Sequence, residues 1–283
     1  MDYQRDDRIT PETKIIGAVV IVVLLLAFLA LYLEPLHTDQ NFAWTITPQT
    51  SAILMGAGYT AGAYFFARVL MEKRWHRVQA GFLPITAFTI CILFATILHW
   101  DRFHQGHWTF YLWFVIYLVM PLVVPFLWWR NRSHAFVGLE DADFRFPTAA
   151  RWILGVGAGL GILSFVVVFI SPSILISIAP WKLTPLTARV FAGWTILTLA
   201  TVLSIVADGR WSAARILMQS AVLGLFLTSL ALPRIWPDFD HSEPMSVVFV
   251  AGILGTLGLL VVLHFWLDAR ARHRALVTAS SPV

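Results

Sequence analysis

The chain has 283 residues, 58% of them apolar and only 13% charged, about half the charged fraction of a soluble domain. A soluble fold would lack polar covering, and the net charge of +4 is spread over segment ends rather than gathered in one patch, which argues against nucleic-acid binding. One cysteine, Cys91, excludes a disulfide framework.

In chain order, apolar runs mark the expected elements. The first, Ile15 to Leu33, is too long for the core of a typical signal peptide. Glu34-Pro35-Leu36-His37 offers no small-residue cleavage site, so the run is read as a retained helix. The second covers Thr50 to Ala67, the third Val78 to Trp100 and the fourth Trp108 to Trp129. Pro121 and Pro125 are expected to bend the fourth. After a polar stretch come Trp152 to Trp181, Val190 to Ala207, Ile216 to Pro233 and Pro244 to Leu267. Each approaches or exceeds the roughly 20 residues that cross a hydrocarbon core. The expected fold class is all-α, a polytopic membrane protein with eight transmembrane helices.

Basic residues give an orientation. Sixteen of the twenty Lys and Arg lie at the N-terminus, in Arg68 to Arg77, Arg130 to Arg151 and Asp208 to Arg215, or at the C-terminus. The other connections hold only Arg102, Lys182, Arg189 and Arg234. That bias puts both termini in the cytoplasm, in a cell inner (plasma) membrane. Most tryptophans, among them Trp44, Trp75, Trp100, Trp181, Trp211 and Trp236, fall at run ends, as expected of headgroup-level anchors.

The sequence also repeats itself. Trp44-Thr45-Ile46-Thr47-Pro48-Gln49-Thr50 recurs 137 positions later as Trp181-Lys182-Leu183-Thr184-Pro185-Leu186-Thr187. The same offset pairs Lys14 with Arg151, Pro35 with Pro172, Gly56 with Gly193 and Trp129 with Trp266. At offset 136, Glu72-Lys73-Arg74-Trp75 matches Asp208-Gly209-Arg210-Trp211, and Trp100-Phe103 matches Trp236-Phe239. This reads as a tandem duplication of a four-helix unit, two parallel repeats about an axis along the membrane normal. The expected organisation is an N-terminal segment 1–13, repeats at 14–130 and 151–267, a solvated linker 131–150 and a tail 268–283, both flanks and the linker being cytoplasmic.

The repeated motifs carry structural expectations. Thr47 and Thr184 suit helix N-caps, with Pro48 and Pro185 at the first helical position; paired outward helix starts also suit an anion. Arg74 and Arg210 of the [ED]-x-R-W motif are expected to reach lipid phosphates, with Trp75 and Trp211 in the interface and Glu72 or Asp208 pairing the arginine. Gly58 and Gly62, Gly155 and Gly159, and Gly157 and Gly161 are spaced for close helix contact. Gly155-Val156-Gly157-Ala158-Gly159 follows no strand and is not a dinucleotide loop.

Chemistry-bearing side chains concentrate in two outer loops, His99 to His107 and Ile235 to Glu243. His99, Asp101, His104, His107, Asp240 and His241 form the candidate metal cluster, because imidazole and carboxylate together suit a divalent ion; their spacing matches no established signature. No Asp, Glu, Lys or Arg lies deep in a span, against the habit of proton-coupled carriers. Haem A synthases are similar in having eight helices in two four-helix units, a family with ligand histidines in both halves. Here His99 matches Ile235, His104 matches Asp240, His37 matches Ile174 and His264 matches Leu127, so the likeness stops at helix count. The leading expectation is transport or permeation of a small neutral or lipid-like molecule between the repeats. The alternatives are a membrane enzyme using the outer cluster and a non-catalytic subunit of a membrane complex. Cofactor and catalytic residues are left open; the lipid bilayer is the expected partner, with a membrane protein or a second copy beside it.

Overall fold

Long apolar runs satisfy their backbone N–H and C=O groups away from water by hydrogen bonding within the segment. The computed structural model describes residues 6–280; residues 1–5 of the N-terminal segment and 281–283 of the tail lie outside it. Eight helices are long and apolar enough to cross a membrane, and no strand occurs among the described residues. They are α1 Pro11–Phe28, prolonged by a π-helical turn Leu29–Leu33, α2 Gln49–Met71, α3 Phe82–Leu98 and α4 Trp108–Arg132. Then follow α5 Thr148–Ile170, α6 Pro185–Asp208, α7 Trp211–Ile235 and α8 Pro244–Ser280. The architecture is that of a multi-pass membrane protein.

α4 runs unbroken as an α-helix through Pro121 and Pro125. α8 has 37 residues, about 55 Å at 1.5 Å per residue, against a hydrocarbon core of about 30 Å. Its last turns, where the tail was expected to start, therefore continue the helix beyond the apolar span.

The chain's first half packs α1 on α2 and α3 on α4; its second half packs α5 on α6 and α7 on α8. The halves meet crosswise, α2 against α7 and α3 against α6. These four form the centre, and α1, α4, α5 and α8 flank it. The first half is filled by two buried clusters, one around Trp44, Tyr59, Trp113 and Tyr117 and one around Phe65, Trp75, Phe82 and Leu127. In the second half the buried clusters are smaller, around Trp181 and Phe239 and around Phe144 and Trp211. α5 has Ala158 as its one buried residue.

Basic side chains close helix C-termini, where free carbonyls and the helix dipole favour a cation. Lys14 donates to the Leu70 and Glu72 carbonyls, and Arg151 to those of Val206 and Ala207. Arg189 donates to Phe169 and Ile170 at the end of α5, and Arg234 to Tyr32 and Leu33 at the end of α1.

Several expectations are corrected. Thr184 caps α6, accepting from the Thr187 N–H at 3.2 Å, but Thr47 caps nothing. α2 starts one residue later, with Pro48 in the cap position after a cis Thr47–Pro48 bond, and the Thr50 N–H is capped at 3.1 Å by the Asp238 carboxylate from the other half. Trp75 and Trp211 are buried packing residues, as are Trp44 and Trp181. They fill cores at the helix ends, where an indole excludes more water than it does at the headgroup level. The linker is folded down: Asp143 is buried and accepts from the Ser212 N–H and Oγ, while Glu140 takes three guanidinium bonds.

Candidate functional site

The seam where the halves meet is the natural place to look for function, because it runs the depth of the protein. Its middle is apolar. Residues 51–67, 80–98, 190–207 and 220–233 carry no charged side chain. Trp194 of α6 lies between Tyr59 of α2 and Phe88 of α3, with ring centroids 5.1 and 4.7 Å away. A Cβ on Gly58 would come within 2.8 Å of that indole, so the glycine makes room for it. Gly224 lies against Ala57 and Ala61, and Gly193 against Cys91 and Ile92. These close approaches let dispersion hold helices together where lipid supplies no hydrophobic drive.

Polar ties across the seam sit at its two ends. At the end away from the termini, Thr50 Oγ1 donates to Asp238 at 2.6 Å and Trp181 Nε1 donates to Ser51 Oγ at 2.9 Å. There too Arg189 donates to His99 Nε2 at 2.7 Å; a guanidinium has no acceptor, so the imidazole must be neutral at that nitrogen. Burial and the Arg189 charge both hold His99 below the ordinary histidine range.

At the terminal end, Gln79 donates to Asp208 at 2.8 Å. The Gln219 side-chain oxygen accepts from Tyr64 and Arg68, both at 2.8 Å, and its amide lies 3.5 Å from His264 Nε2. Arg68 is one turn from the end of α2, yet its guanidinium meets Gln219, eight residues inside α7. Arg68 also pairs with Glu72 at 2.6 Å, and Glu72 with Arg77 at 3.2 Å. Arg77 continues the chain to Glu140 at 2.6 Å.

Fully buried His76 sits next in this network. Its Nδ1 bonds Asp7 Oδ2, and its Nε2 lies 3.0 Å from Glu140 Oε1. The [ED]-x-R-W arginines behave differently from the lipid-reaching role expected of them. Arg210 is buried, paired with Asp208 at 2.6 Å and bonded to the Phe136 and Gly138 carbonyls. Arg74 is half exposed and pairs with Glu140 at 2.8 Å. Burial disfavours the Arg210 charge, but the Asp208 carboxylate outweighs it and raises the guanidinium further. Asp208 therefore fits the expected pairing; Glu72 instead serves Arg68 and Arg77.

The six outer-loop candidates divide. His104 is tied to the Phe42 carbonyl through Nδ1 and to Thr45 Oγ1 through Nε2, with His107 beside it, rings 5.3 Å apart. Asp101 pairs with Arg102, both exposed. Asp240 is bonded by Ser242, which holds its carboxyl below the ordinary range. His241 donates to the Trp236 carbonyl at 2.9 Å and stacks on that ring. Asp240 and His241 line an open hollow of about 1030 Å³ together with Lys182, Asp238 and Glu243, apart from the other four candidates. Among the described residues no three His, Cys, Asp or Glu are grouped so as to hold a metal ion.

Sequence reasoning missed Asp7, His76, Glu140, Arg68 and Gln219. Gln219 alone left a trace, as the one carboxamide in the seventh apolar run. The other four lie in connections or at a helix end, where polar residues are ordinary, and their convergence is a property of the fold. Comparison of the chain with protein-family models, with curated proteins and with solved structures finds no match to any of them.

Proposed function

We propose that the chain carries a small neutral or lipid-like molecule across a cell membrane by movement of two tandem four-helix units, residues 14–130 and 151–267, against each other. The segment 1–13, the linker 131–150 and the tail 268–283 lie on the cytoplasmic side in this reading. The observation that carries it is the construction of the seam. Polar bonds that can break and re-form tie its two ends, and an aromatic and aliphatic interior without charge lies between them. A charged cargo would find no counter-charge there, whereas an apolar one exchanges one dispersion contact for another.

Paired contacts support the two-unit reading. The antiparallel bridge between Arg8 and Arg74 has its counterpart in that between Arg145 and Arg210. Trp75 N–H donates to the Asp7 carbonyl as Trp211 N–H does to that of Phe144. His104 N–H donates to the Ala43 carbonyl as Asp240 N–H does to that of Pro180. Lys14 and Arg151 close α2 and α6 alike. Units so related commonly bind substrates at their interface.

The test is flux into vesicles reconstituted with the purified protein, using a fluorescent phospholipid and an uncharged solute as separate probes. Faster equilibration of one probe than in protein-free vesicles is expected. A short thiol cross-linker joining Thr50→Cys to Asp238→Cys, in a Cys91→Ala background, is expected to stop it. Equal rates with and without protein for both probes would sink the reading.

A specific observation favours a second reading, a subunit of a membrane complex. A Cβ on Gly252, Gly255 or Gly258 of α8, or on Gly157 or Gly159 of α5, would meet nothing within 4 Å. Small residues of this kind suit a neighbouring transmembrane helix.

A further inference from the structure

We propose that His76 is a pH-governed lock: as an imidazolium it binds the N-terminal segment and the linker to the α2–α3 turn, and on losing its proton it loosens the linker's hold on the first half of the chain. The inference stands on the geometry at the terminal end and holds whatever the cargo is.

His76 has no exposed surface, and each of its nitrogens faces a carboxylate on a different segment. Asp7 comes from the N-terminal segment. Its Oδ2 meets Nδ1, and its Oδ1 accepts from the backbone N–H groups of His76 and Phe136, both at 3.1 Å. Its own N–H donates to the His134 carbonyl at 2.8 Å. Glu140 comes from the linker and lies 3.0 Å from Nε2. The remaining charged groups around the pair are Glu72, Arg74 and Arg77 on the α2–α3 turn, Arg68 behind Glu72, and Asp208 and Arg210 on the α6–α7 turn. The Phe136 ring covers the imidazole at 5.6 Å.

A neutral imidazole has one N–H and one lone pair. Here either tautomer of the buried ring would turn its lone pair toward a carboxylate oxygen. The doubly protonated ring bonds Asp7 through Nδ1 and sets a positive Nε2 at ion-pair distance, 3.0 Å, from Glu140. Burial opposes its charge, and Arg210 opposes it more weakly, but the carboxylates of Asp7 and Glu140 prevail and hold His76 above the ordinary histidine value. Burial likewise pushes Asp7 and Glu140 up, and their bonds, His76 among the partners, bring both below the ordinary carboxylate range.

The signs define a window. A histidine raised on folding contributes stability that is complete below its unfolded value and lost as pH climbs through the folded one. The two depressed carboxylates lose theirs only as pH falls through their lowered values. The lock is therefore shut below the ordinary histidine value and opens as pH climbs through the raised one. The consequence is mechanical. Phe136 and Gly138 hang by their carbonyls on Arg210 of the second half, while Glu140 hangs on the first half through Arg74 and Arg77. Releasing Asp7 and Glu140 from His76 loosens the linker's hold on the first half.

The experiment is hydrogen exchange of the full chain in lipid nanodiscs between about pH 6 and 9, corrected for intrinsic chemistry. Protection of the Trp75, His76 and Phe136 amides, which all bond Asp7, is expected to fall about tenfold per unit above the folded value, while mid-helix amides of α3 hold theirs. His76→Gln keeps a donor without titrating and is expected to abolish the pH dependence. Glu140→Gln removes one of the two acids and is expected to move the midpoint to lower pH; it also serves if His76→Gln does not fold. Protection that is flat with pH in the wild-type chain overturns the proposal. So does an alkaline loss that persists unshifted in the folded variants.

Discussion

Arg210 and Arg74 occupy the same place in a repeated motif, and their fates differ through their neighbours. Arg210 and Asp208 expose only 6% and 9% of their side chains, so each is the other's main source of neutralisation. Arg210→Met removes one charge and leaves Asp208 buried with the Gln79 amide as its remaining side-chain donor. The expected cost is about 3–5 kcal/mol, seen as a lowered unfolding midpoint in detergent. Arg74→Met, at an exposed ion pair, is expected to cost less than about 1 kcal/mol. The motif was legible in the sequence, its burial was not. Residue type announces a charge, but the linker that covers Arg210 arrives from more than seventy positions away.

At the scale of helices, all eight spans were legible because length and apolarity suffice to specify a helix in lipid. Which face of each helix turns inward was less so. Gly58, Gly62 and Gly161 do lie against neighbouring side chains as their spacing implied, whereas Gly157 and Gly159 face open space. This distinction predicts opposite outcomes. Gly58→Ala forces Trp194 from between Tyr59 and Phe88 and is expected to destabilise by about 1–3 kcal/mol, read from the unfolding midpoint. Gly255→Leu on α8 is expected to leave that midpoint in place. If α8 carries a partner, the same substitution strips that partner from protein purified out of native membranes, a loss visible by native mass spectrometry. Retention of the partner would place it on another surface.

At the scale of the whole molecule, eight span-capable helices are an even number, and the proposed topology, read from the basic residues, has both termini in the cytoplasm. Single cysteines at Gln105 and Ser242 in a Cys91→Ala background are then expected to react with an impermeant maleimide on intact cells, and one at Ser133 only after lysis. Labelling of Ser133 in intact cells would invert the topology. In the outer loops His99 is tied to Arg189, His104 to Phe42 and Thr45, and His241 to Trp236. A histidine-rich loop reads alike in the sequence whether its rings ligate an ion or hold its own backbone.

By itself the sequence determined that the chain is helical and that eight of its segments are long and apolar enough to span a membrane, because both follow from local apolarity. The tertiary structure alone decided that the halves meet crosswise, that Trp194 occupies the seam, and that Asp7, His76, Glu140 and Arg210 share one buried network. Those depend on contacts between residues more than 180 positions apart in places, which no local pattern records. The physical reason is that a membrane fixes helices one segment at a time, whereas a buried charge is stable only where separate segments bring its partners to it.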